Sequence, residues 1–340
     1  MKVARLYDFG DIRIEQSERP RPGPGDIVVR TSACGICSGD IMPWYLKRKA
    51  PLVLGHEPVG VIDEVSSAVR DFRAGDRVFV HHHAPCFQCA ACRRGNHVHC
   101  ATWRSTKITP GGMAEYFVVG PENLRDTLKL TDEMSDADGV LIEPAACVVK
   151  SMRRSGVRPG DTLLIIGLGI MGMIHVRIAR EMGVGKIIGA DLFEARAQRA
   201  VALGADIGLT VSGDNLADQV REATNGAMAD VVIVGPGTAG AIHSGIAAAA
   251  NGATVVEFTS MPPDADMTIR PHDLYFKEIS LVPSYSCGPD DTRESFDLIR
   301  RGVLRASDLV THSFPLARIG DAFNAAQQPD ALKVVVTFGS

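Results

Sequence analysis

The sequence predicts an α/β protein of two domains, a barrel-like all-β domain followed by a doubly wound parallel sheet. Before about residue 150, short β-rich runs such as DIVVRTSA and AEYFVVG are separated by Pro and Gly turn signals. After it, six apolar strand segments alternate with helical segments, which is typical of a parallel sheet covered on both faces. Near the end comes the strand KVVVTF, and we expect this single late strand to return to the first domain.

The predicted domain boundaries follow these changes of pattern. The first domain spans 1–149, the second spans 150–285, and the segment 286–340 belongs with the first. A chain of 340 residues with 45% hydrophobic content can bury two cores.

Composition and the chain start exclude several classes of partner. A formal net charge of −4 does not favour a nucleic-acid partner. The N-terminus lacks the apolar stretch of a signal peptide, and the most apolar segment, TLLIIGLGIMGMIHV, is too short and too rich in glycine to span a bilayer. We therefore expect a cytoplasmic protein with no membrane partner.

Half of the eight cysteines lie in the run CFQCAACRRGNHVHC. They are Cys86, Cys89, Cys92 and Cys100. This spacing predicts one tetrahedral zinc ion held by four thiolates, a closed site without a vacancy for chemistry. We therefore expect a structural zinc lobe at residues 86–100. A disulfide cluster is the alternative, but it needs an oxidising compartment.

A glycine-rich turn ends the first strand of the second domain and opens a helix. The first two glycines permit a tight turn and a close approach of the backbone to a pyrophosphate, and the third lets the helix pack on the strand. The helix N-terminus offers unpaired amides to negative charge. The predicted cofactor-binding residues of this turn are Gly167, Gly169, Ile170, Met171 and Gly172.

Asp191 ends the second strand of this sheet and predicts the cofactor. A carboxylate there accepts hydrogen bonds from both hydroxyls of the adenosine ribose and repels a 2′-phosphate, so NAD is favoured over NADP. Arg196 and Arg199 favour the opposite choice, since an arginine close behind the strand can accommodate the 2′-phosphate. A glycine-rich turn without any nucleotide is the further alternative.

A second set of potential metal ligands is scattered along the chain. It comprises Cys37 in ACGICSGD, His56 and Glu57 in LGHEPVG, and Glu143 in LIEPAAC. These soft and hard donors can meet only in a folded scaffold. Taken singly, three of them have structural explanations. Cys37 could be a small buried hydrophobe, His56 a core histidine with satisfied hydrogen bonds, and Glu143 a helix-capping acid.

The motifs GIC-x-x-D, GHEPVG, the four-cysteine lobe, LIEPAA and GLGIMG occur in that order over nearly the whole chain. This combination resembles the zinc-containing medium-chain alcohol dehydrogenases. Within them it is most similar to the polyol and threonine dehydrogenase branch, because Glu143 stands where simple alcohol dehydrogenases carry a cysteine ligand. The resemblance implies a GroES-like catalytic domain, a Rossmann domain, an active site in the cleft between them and a homotetramer or homodimer.

The resemblance also implies two zinc ions per chain and hydride transfer between NAD and a small-molecule alcohol or sugar. Cys37, His56 and Glu143 would surround the catalytic zinc, with Glu57 nearby. Because a catalytic zinc keeps one position open, we expect either Glu57 or Glu143 to be displaced or bound through water. Asp40 would orient His56 by accepting its free ring N–H.

Two further residues leave alternatives open. Lys333 aligns with a basic residue that in relatives sits near the pyrophosphate and the glutamate of the GHE motif, but it is equally well explained as a solvated strand lysine. Most relatives place Ser or Thr where this chain has Gly39, and a relay histidine is replaced by Met42. A one-residue shift along the turn aims a hydroxyl elsewhere, so Ser38 is a poor substitute as the group that takes the substrate proton, and zinc-bound water or Glu57 is the alternative.

Other polar residues and cysteines have weaker assignments. Those that could meet a polyhydroxylated substrate are Trp44, Tyr45, His82 and Arg293, each with an equally good structural explanation. The run His81–His83 is not expected to bind a metal, because adjacent strand residues point to opposite faces. Cys287 in SYSCGPDD is expected to be exposed.

The function predicted is a zinc-dependent oxidoreductase acting on a secondary alcohol, with a polyol or sugar hydroxyl as the expected substrate. A threonine-type amino alcohol dehydrogenase is the alternative. A zinc-independent quinone or enoyl reductase would lack the ligands, and a non-enzymatic relative would have lost Cys37, His56 or the glycine motif.

Overall fold

The structure is a computed structural model that describes residues 1–339. The chain divides into two compact units, one made of Met1–Ala146 together with the chain from Cys287 onward, and one made of Cys147–Ser286. Among residues 1–339, none of the helices combines the length and the apolar character needed to cross a membrane.

The described residues form sixteen strands and fourteen α-helices. The strands are β1 (Lys2–Asp8), β2 (Asp11–Gln16), β3 (Ile27–Ile36), β4 (Leu52–Val53), β5 (Pro58–Val65), β6 (Arg77–Val80), β7 (Tyr116–Val119), β8 (Thr127–Lys129), β9 (Thr162–Ile166), β10 (Lys186–Asp191), β11 (Ile207–Thr210), β12 (Ala229–Val234), β13 (Ala249–Glu257), β14 (Ser280–Pro283), β15 (Val310–Pro315) and β16 (Lys333–Thr337).

The helices are α1 (Pro43–Lys47), α2 (Ala90–Arg93), α3 (Ala101–Ser105), α4 (Pro121–Leu124), α5 (Asp136–Val140), α6 (Ile142–Ser155), α7 (Ile170–Glu181), α8 (Glu194–Ala202), α9 (Leu216–Ala223), α10 (Ala239–Ala247), α11 (Pro271–Lys277), α12 (Pro289–Arg300), α13 (Ala306–Leu309) and α14 (Ile319–Ala326). Short 3₁₀ turns occupy Ser38–Ile41, His97–His99 and Leu316–Arg318.

The unit Cys147–Ser286 contains a six-stranded sheet in the order β11-β10-β9-β12-β13-β14. Every neighbouring pair in it is parallel. Its central strands are continuous apolar runs, as in β9 and β12, because helices cover both faces. Strand order reverses between β9 and β12, and ligands of doubly wound sheets bind at such a point. The predicted fold class is confirmed here.

The other unit is built on a mixed sheet in the order β15-β16-β3-β5-β6-β8, with β7 also paired to β3, and on a small sheet β2-β1-β4. The late strand β16 pairs antiparallel with β3. The expectation of a single late strand is wrong, because β15 lies parallel to β16 at the sheet edge. The sequence VTHSFP hides this strand, since it carries polar residues and ends in a proline that only an edge tolerates.

The registers of this mixed sheet bring several strand ends to one place. Cys34 of β3 lies opposite Pro58 of β5, so the end of β3 meets the start of β5. Val334 lies opposite Ile36, which puts the start of β16 beside the same point. Because β6 runs antiparallel to β5, the residues after Val80 also arrive there. Chain segments that are distant in sequence therefore converge at the same end of these neighbouring strands.

Candidate active site and metal centres

The four-cysteine lobe has the geometry of a tetrahedral thiolate site. The Sγ atoms of its cysteines all lie within 4.8 Å of one another. The Sγ of Cys92 lies 3.5 Å from that of Cys89 and 3.9 Å from that of Cys86. Four sulfurs each about 2.3 Å from one zinc ion would be about 3.8 Å apart. No cysteine of residues 1–339 forms a disulfide, and the residues of the lobe therefore fit a structural zinc ion.

Local backbone structure explains why the short segment can close around one ion. Cys89 caps the one-turn helix α2, and Gly95 takes a positive φ of 72° that turns the chain back toward the fourth cysteine. The backbone N–H of Cys86 donates to Cys100 Sγ at 3.4 Å. Val98 and Trp103 are buried against the cluster and form its apolar support.

A second group of ligand atoms joins Cys37, His56 and Glu57, which lie within 4.8 Å of one another. Cys37 follows β3 directly, while His56 and Glu57 immediately precede β5, so the β3–β5 register brings them together. The Sγ of Cys37 accepts a hydrogen bond from the N–H of Gly39 at 3.3 Å. A thiol, an imidazole and a carboxylate at these separations suit zinc.

Glu57 forms a fully buried ion pair with Lys333. The Nζ of Lys333 donates to both carboxylate oxygens at 2.8 Å and to the carbonyl of Ile36 at 3.1 Å. Burial alone would lower the pKa of Lys333, but the Glu57 carboxylate raises it, so the ammonium stays charged. The alternative of a solvated strand lysine is wrong, because β16 lies inside the sheet and Lys333 is fully buried. Its contact with a pyrophosphate stays a prediction.

Gly35 is the residue of this site that the sequence did not reveal. A Cβ atom built on Gly35 would lie 1.8 Å from the Glu57 carboxylate and 2.8 Å from Val140. Only glycine leaves room for the glutamate beside β3. The chemical signal was the ACGIC motif itself, in which a small residue sits two positions before the cysteine.

Asp40 lies beside His56, with its Oδ1 at 3.8 Å from His56 Nδ1. This separation is longer than a hydrogen bond, and its other oxygen accepts from the N–H of Cys37 at 3.1 Å. Burial alone would lower the pKa of His56, but the negative charges of Asp40 and Cys37 raise it well above its usual value. Asp40 therefore acts on His56 by charge, and its predicted hydrogen bond stays a prediction.

Glu143, the second residue of α6, is not in the group of Cys37, His56 and Glu57 among residues 1–339. Its carboxylate instead lies within 4.8 Å of ring nitrogens of His81 and His82. Its charge still raises the pKa of His56. The arrangement separates the two glutamates, and which of them ligates zinc directly stays a prediction.

His81 belongs to a buried network that sequence reasoning missed. Its Nδ1 donates to Asp126 Oδ2 at 2.6 Å, and its Nε2 lies 3.6 Å from Cys287 Sγ. Asp126 also accepts from the hydroxyl of Thr292 at 2.7 Å and from Arg293 at 3.3 Å. Arg293 is thus engaged in structural contacts, and no local sequence motif joins these distant residues.

One expectation about this region is wrong, and the premise of a second does not apply. Cys287 is fully buried rather than exposed, because it packs on His81 ahead of the helix α12. Strand alternation does not apply to His81–His83, because β6 ends at Val80 and the histidines lie beyond the strand. Ring nitrogens of His81 and His82 approach within 4.8 Å of each other, but among residues 1–339 His83 does not join that group. His83 does turn away, and its Nδ1 donates to the carbonyl of Thr106 at 2.6 Å.

Ser38 opens the short 3₁₀ turn Ser38–Ile41, and Met42 ends it. Cys37 caps this turn, so Ser38 is adjacent to the candidate ligand in sequence. A Cβ atom built on Gly39 would lie 3.4 Å from the ring of Tyr45. The role of Ser38 in proton transfer stays a prediction.

The glycine-rich turn has the conformation that a dinucleotide requires. Gly167 adopts a φ of 89°, and a Cβ on Gly172 would lie 2.2 Å from the carbonyl of Gly167. A Cβ on Gly169, the N-cap of α7, would meet no atom within 4 Å, so open space lies beside this residue. The turn therefore fits a pyrophosphate at the start of α7, where Ile170 and Met171 begin the helix.

Asp191 ends β10 and is held against this turn. Its Oδ2 accepts from the N–H of Leu168 at 2.7 Å, and its Oδ1 accepts from the N–H of Phe193 at 3.0 Å. The Nη1 of Arg196 lies 3.7 Å from Oδ2. The acid is thereby fixed beside the turn, with an arginine as its counter-charge.

Family models match both halves of the chain. The alcohol dehydrogenase GroES-like domain matches residues 23–131, and the zinc-binding dehydrogenase model matches residues 170–301. A protein of Neosartorya fischeri described as "Probable D-xylulose reductase A" is 30% identical over 339 residues, covering 95% of this chain and 93% of its own length. The sorbitol dehydrogenase of Homo sapiens is 29% identical over 353 residues, covering 97% and 94%.

Solved structures with the same fold carry both kinds of nicotinamide cofactor. One from Sinorhizobium meliloti, described as a zinc-binding dehydrogenase bound to NADP, has a TM-score of 0.88 at 28% identity and covers 99% of this chain and 98% of its own. An alcohol dehydrogenase of Escherichia coli complexed with NADH has a TM-score of 0.88 at 25% identity and covers 99% of both chains.

Proposed function

Because the chain belongs to the family of zinc-containing medium-chain alcohol dehydrogenases, we propose that it oxidises a secondary hydroxyl of a polyol or sugar by hydride transfer to NAD. The chain is a zinc-dependent oxidoreductase. The observation that carries the proposal is the convergence of Cys37, His56 and Glu57 within 4.8 Å of one another, from segments that only the folded sheet brings together. Soft and hard donors of this kind fit a catalytic rather than a structural zinc.

Each residue of the site has a distinct task in this proposal. Cys37 and His56 would bind the zinc ion, and either Glu57 or Glu143 would complete the set directly or through water. Zinc bound there supplies Lewis acidity that lowers the pKa of a substrate hydroxyl. Lys333 neutralises Glu57, so the buried carboxylate is tolerated whether or not it contacts the metal. Ser38 is the candidate proton acceptor.

Asp191 supports NAD as the cofactor. A carboxylate at the end of the second strand accepts hydrogen bonds from the ribose hydroxyls and repels a 2′-phosphate. Arg196 lies near enough to Asp191 to be drawn to that carboxylate, which weakens the case for a phosphate partner. Arg199 and the relative bound to NADP are the reasons to measure NADP as the alternative cofactor.

The polyol substrate is supported by what the relatives are named for. Sorbitol and D-xylulose are polyhydroxylated, and the proteins named for them align over nearly the full length of this chain. A threonine-type amino alcohol dehydrogenase remains the second candidate, because Glu143 occupies the same motif position in that branch. A homotetrameric or homodimeric assembly and a cytoplasmic location complete the proposal, and light scattering on the purified chain measures the assembly.

A screen of NAD and NADP reduction tests the proposal. The substrates are polyols, aldoses, inositols, threonine and simple secondary alcohols, offered to zinc-loaded protein. We expect NAD reduction with at least one polyol or sugar and slower reduction of NADP. Turnover of threonine alone would select the second candidate. Absence of turnover on every alcohol, with zinc and NAD shown to be bound, would refute the dehydrogenase assignment.

A further inference from the structure

We propose that His82 determines substrate specificity by hydrogen-bonding a second hydroxyl of the substrate, on the carbon next to the one that is oxidised. This inference rests on the proposed function and names the substrate class more narrowly, as vicinal diols rather than simple secondary alcohols. Nothing in the glycine, cysteine or GHE motifs assigns a role to this residue.

The three consecutive histidines differ in their hydrogen bonding. His81 is tied by Asp126 at 2.6 Å and contacts Cys287, and His83 is tied by the carbonyl of Thr106 at 2.6 Å. The Nδ1 atom of His82 is buried, and within residues 1–339 it has no hydrogen-bond partner. A buried polar atom without a partner costs about 1–3 kcal/mol, so native proteins rarely keep one that has no use. Of the three histidines, His82 is therefore the one with a ring nitrogen still available to a ligand.

The position of His82 points to the substrate as that partner. Its ring centroid lies 5.1 Å from that of His56, a candidate ligand of the catalytic zinc. A substrate hydroxyl held at a metal on His56 would therefore lie on the same side of the site as the His82 ring. The buried network of Asp126, Thr292 and His81 fixes the chain on the N-terminal side of His82.

Glu143 supplies the other half of the subsite. Its carboxylate lies within 4.8 Å of a ring nitrogen of His82. One hydroxyl that donates to a carboxylate and accepts from an imidazole bridges a gap of about 4.5 Å, since each hydrogen bond measures about 2.8 Å. A hydroxyl of a diol can donate to the carboxylate of Glu143 and accept from the ring of His82 at the same time. A simple alcohol would leave both groups without that partner.

The test compares two alcohols that differ by one hydroxyl, butane-2,3-diol and butan-2-ol. His82→Phe keeps an aromatic ring of similar size and removes the nitrogen, whereas His82→Asn keeps a polar group close to Nδ1. We expect the ratio of kcat/KM for the diol to that for the monoalcohol to fall about tenfold in His82→Phe, mainly through KM for the diol, which corresponds to one lost hydrogen bond. His82→Asn should retain most of the ratio.

His83→Phe is the matched control, because it removes a tied histidine next in sequence, and it should leave the ratio unchanged. Zinc content, NAD binding and thermal unfolding of each variant report folding. If His82→Phe does not fold, His82→Met removes the same nitrogen with a flexible side chain, and the same ratio of kcat/KM values is measured for that variant. A ratio within twofold of the wild type in the folded variant overturns the inference.

Failure of this inference is distinguishable from failure of the proposed function. A wild-type enzyme that oxidises both alcohols with equal kcat/KM, or whose ratio survives His82→Phe, overturns the role of His82 and leaves the dehydrogenase assignment intact. A wild-type enzyme that oxidises no alcohol while holding zinc and NAD overturns both.

Discussion

The two groups of metal ligands differ in the length of chain that builds them. The four cysteines of the lobe lie within residues 86–100, and one-turn helices and Gly95 suffice to bring them together. The second group depends on the registers of β3, β5 and β16, and its Glu57–Lys333 pair joins residues separated by 276 positions. A metal site built from one short segment, as in the lobe, stabilises that segment. A metal site built from several strands, as at Cys37, His56 and Glu57, depends on the whole sheet and can leave one coordination position open for a substrate.

The largest effect expected concerns the distributed site. Cys37→Ala removes a candidate zinc ligand at the end of β3, so we expect turnover to fall more than about 1,000-fold while the lobe stays folded. Steady-state kinetics with the best alcohol from the screen measure this, and circular dichroism checks folding. Turnover close to that of the wild type would show that the chemistry does not depend on this group.

The lobe should respond in stability rather than in chemistry. Cys89→Ser removes one of four thiolates, and because folding of the lobe depends on the ion, we expect the unfolding temperature to fall by more than about 10 °C. Cys34→Ser, at a buried cysteine outside both groups, is the matched control and should cost far less. A Cys89→Ser protein as stable as the wild type but without turnover would mean that the lobe was misassigned.

The buried ion pair can be tested by removing its cation. Lys333→Met leaves the Glu57 carboxylate buried without Lys333, which we expect to cost about 3–5 kcal/mol of unfolding free energy in zinc-free protein. Zinc should restore part of this loss if Glu57 is a direct ligand. Urea unfolding with and without zinc gives both values.

Lys129→Met is the control for this ion pair. Lys129 pairs with Asp76 at 2.7 Å, but its side chain is 47% exposed, so we expect a loss below about 1 kcal/mol. Equal losses for Lys333→Met and Lys129→Met would contradict a structural role of the buried pair.

The smallest effect expected is at Ser38. If Ser38 takes the substrate proton, Ser38→Ala lowers kcat and shifts its pH dependence. Because a one-residue shift from the usual hydroxyl position aims the side chain elsewhere on the short turn, we expect a change of less than about threefold. An unaltered pH–rate profile would remove Ser38 from the proton path.

The predictability of each region follows from the same comparison. The lobe spacing, the glycine-rich turn and Asp191 could be identified from the sequence, because their partners are close in the chain or follow a strand-to-helix rule. Glu57 and Lys333 could be named, but their fully buried pairing and the need for Gly35 depend on the sheet register. The network of His81, Asp126 and Cys287 could not be predicted, because no local pattern joins a strand end to a distant helix start.

β15 was missed for a related reason. Its sequence VTHSFP lacks the alternation of a half-buried strand, and its place at the sheet edge relaxes the demand for one. The separation of the two glutamates likewise depends on where α6 begins relative to the strand ends.

The central claim is that each chain holds one structural and one catalytic zinc ion, and that only the second supports turnover. Zinc quantification by mass spectrometry on purified wild type and Cys37→Ala, alongside NAD reduction, tests it most directly. The account predicts two zinc ions in the wild type and one in the folded, inactive variant. Two zinc ions and full turnover in Cys37→Ala, or a single zinc ion in an active wild type, would contradict it.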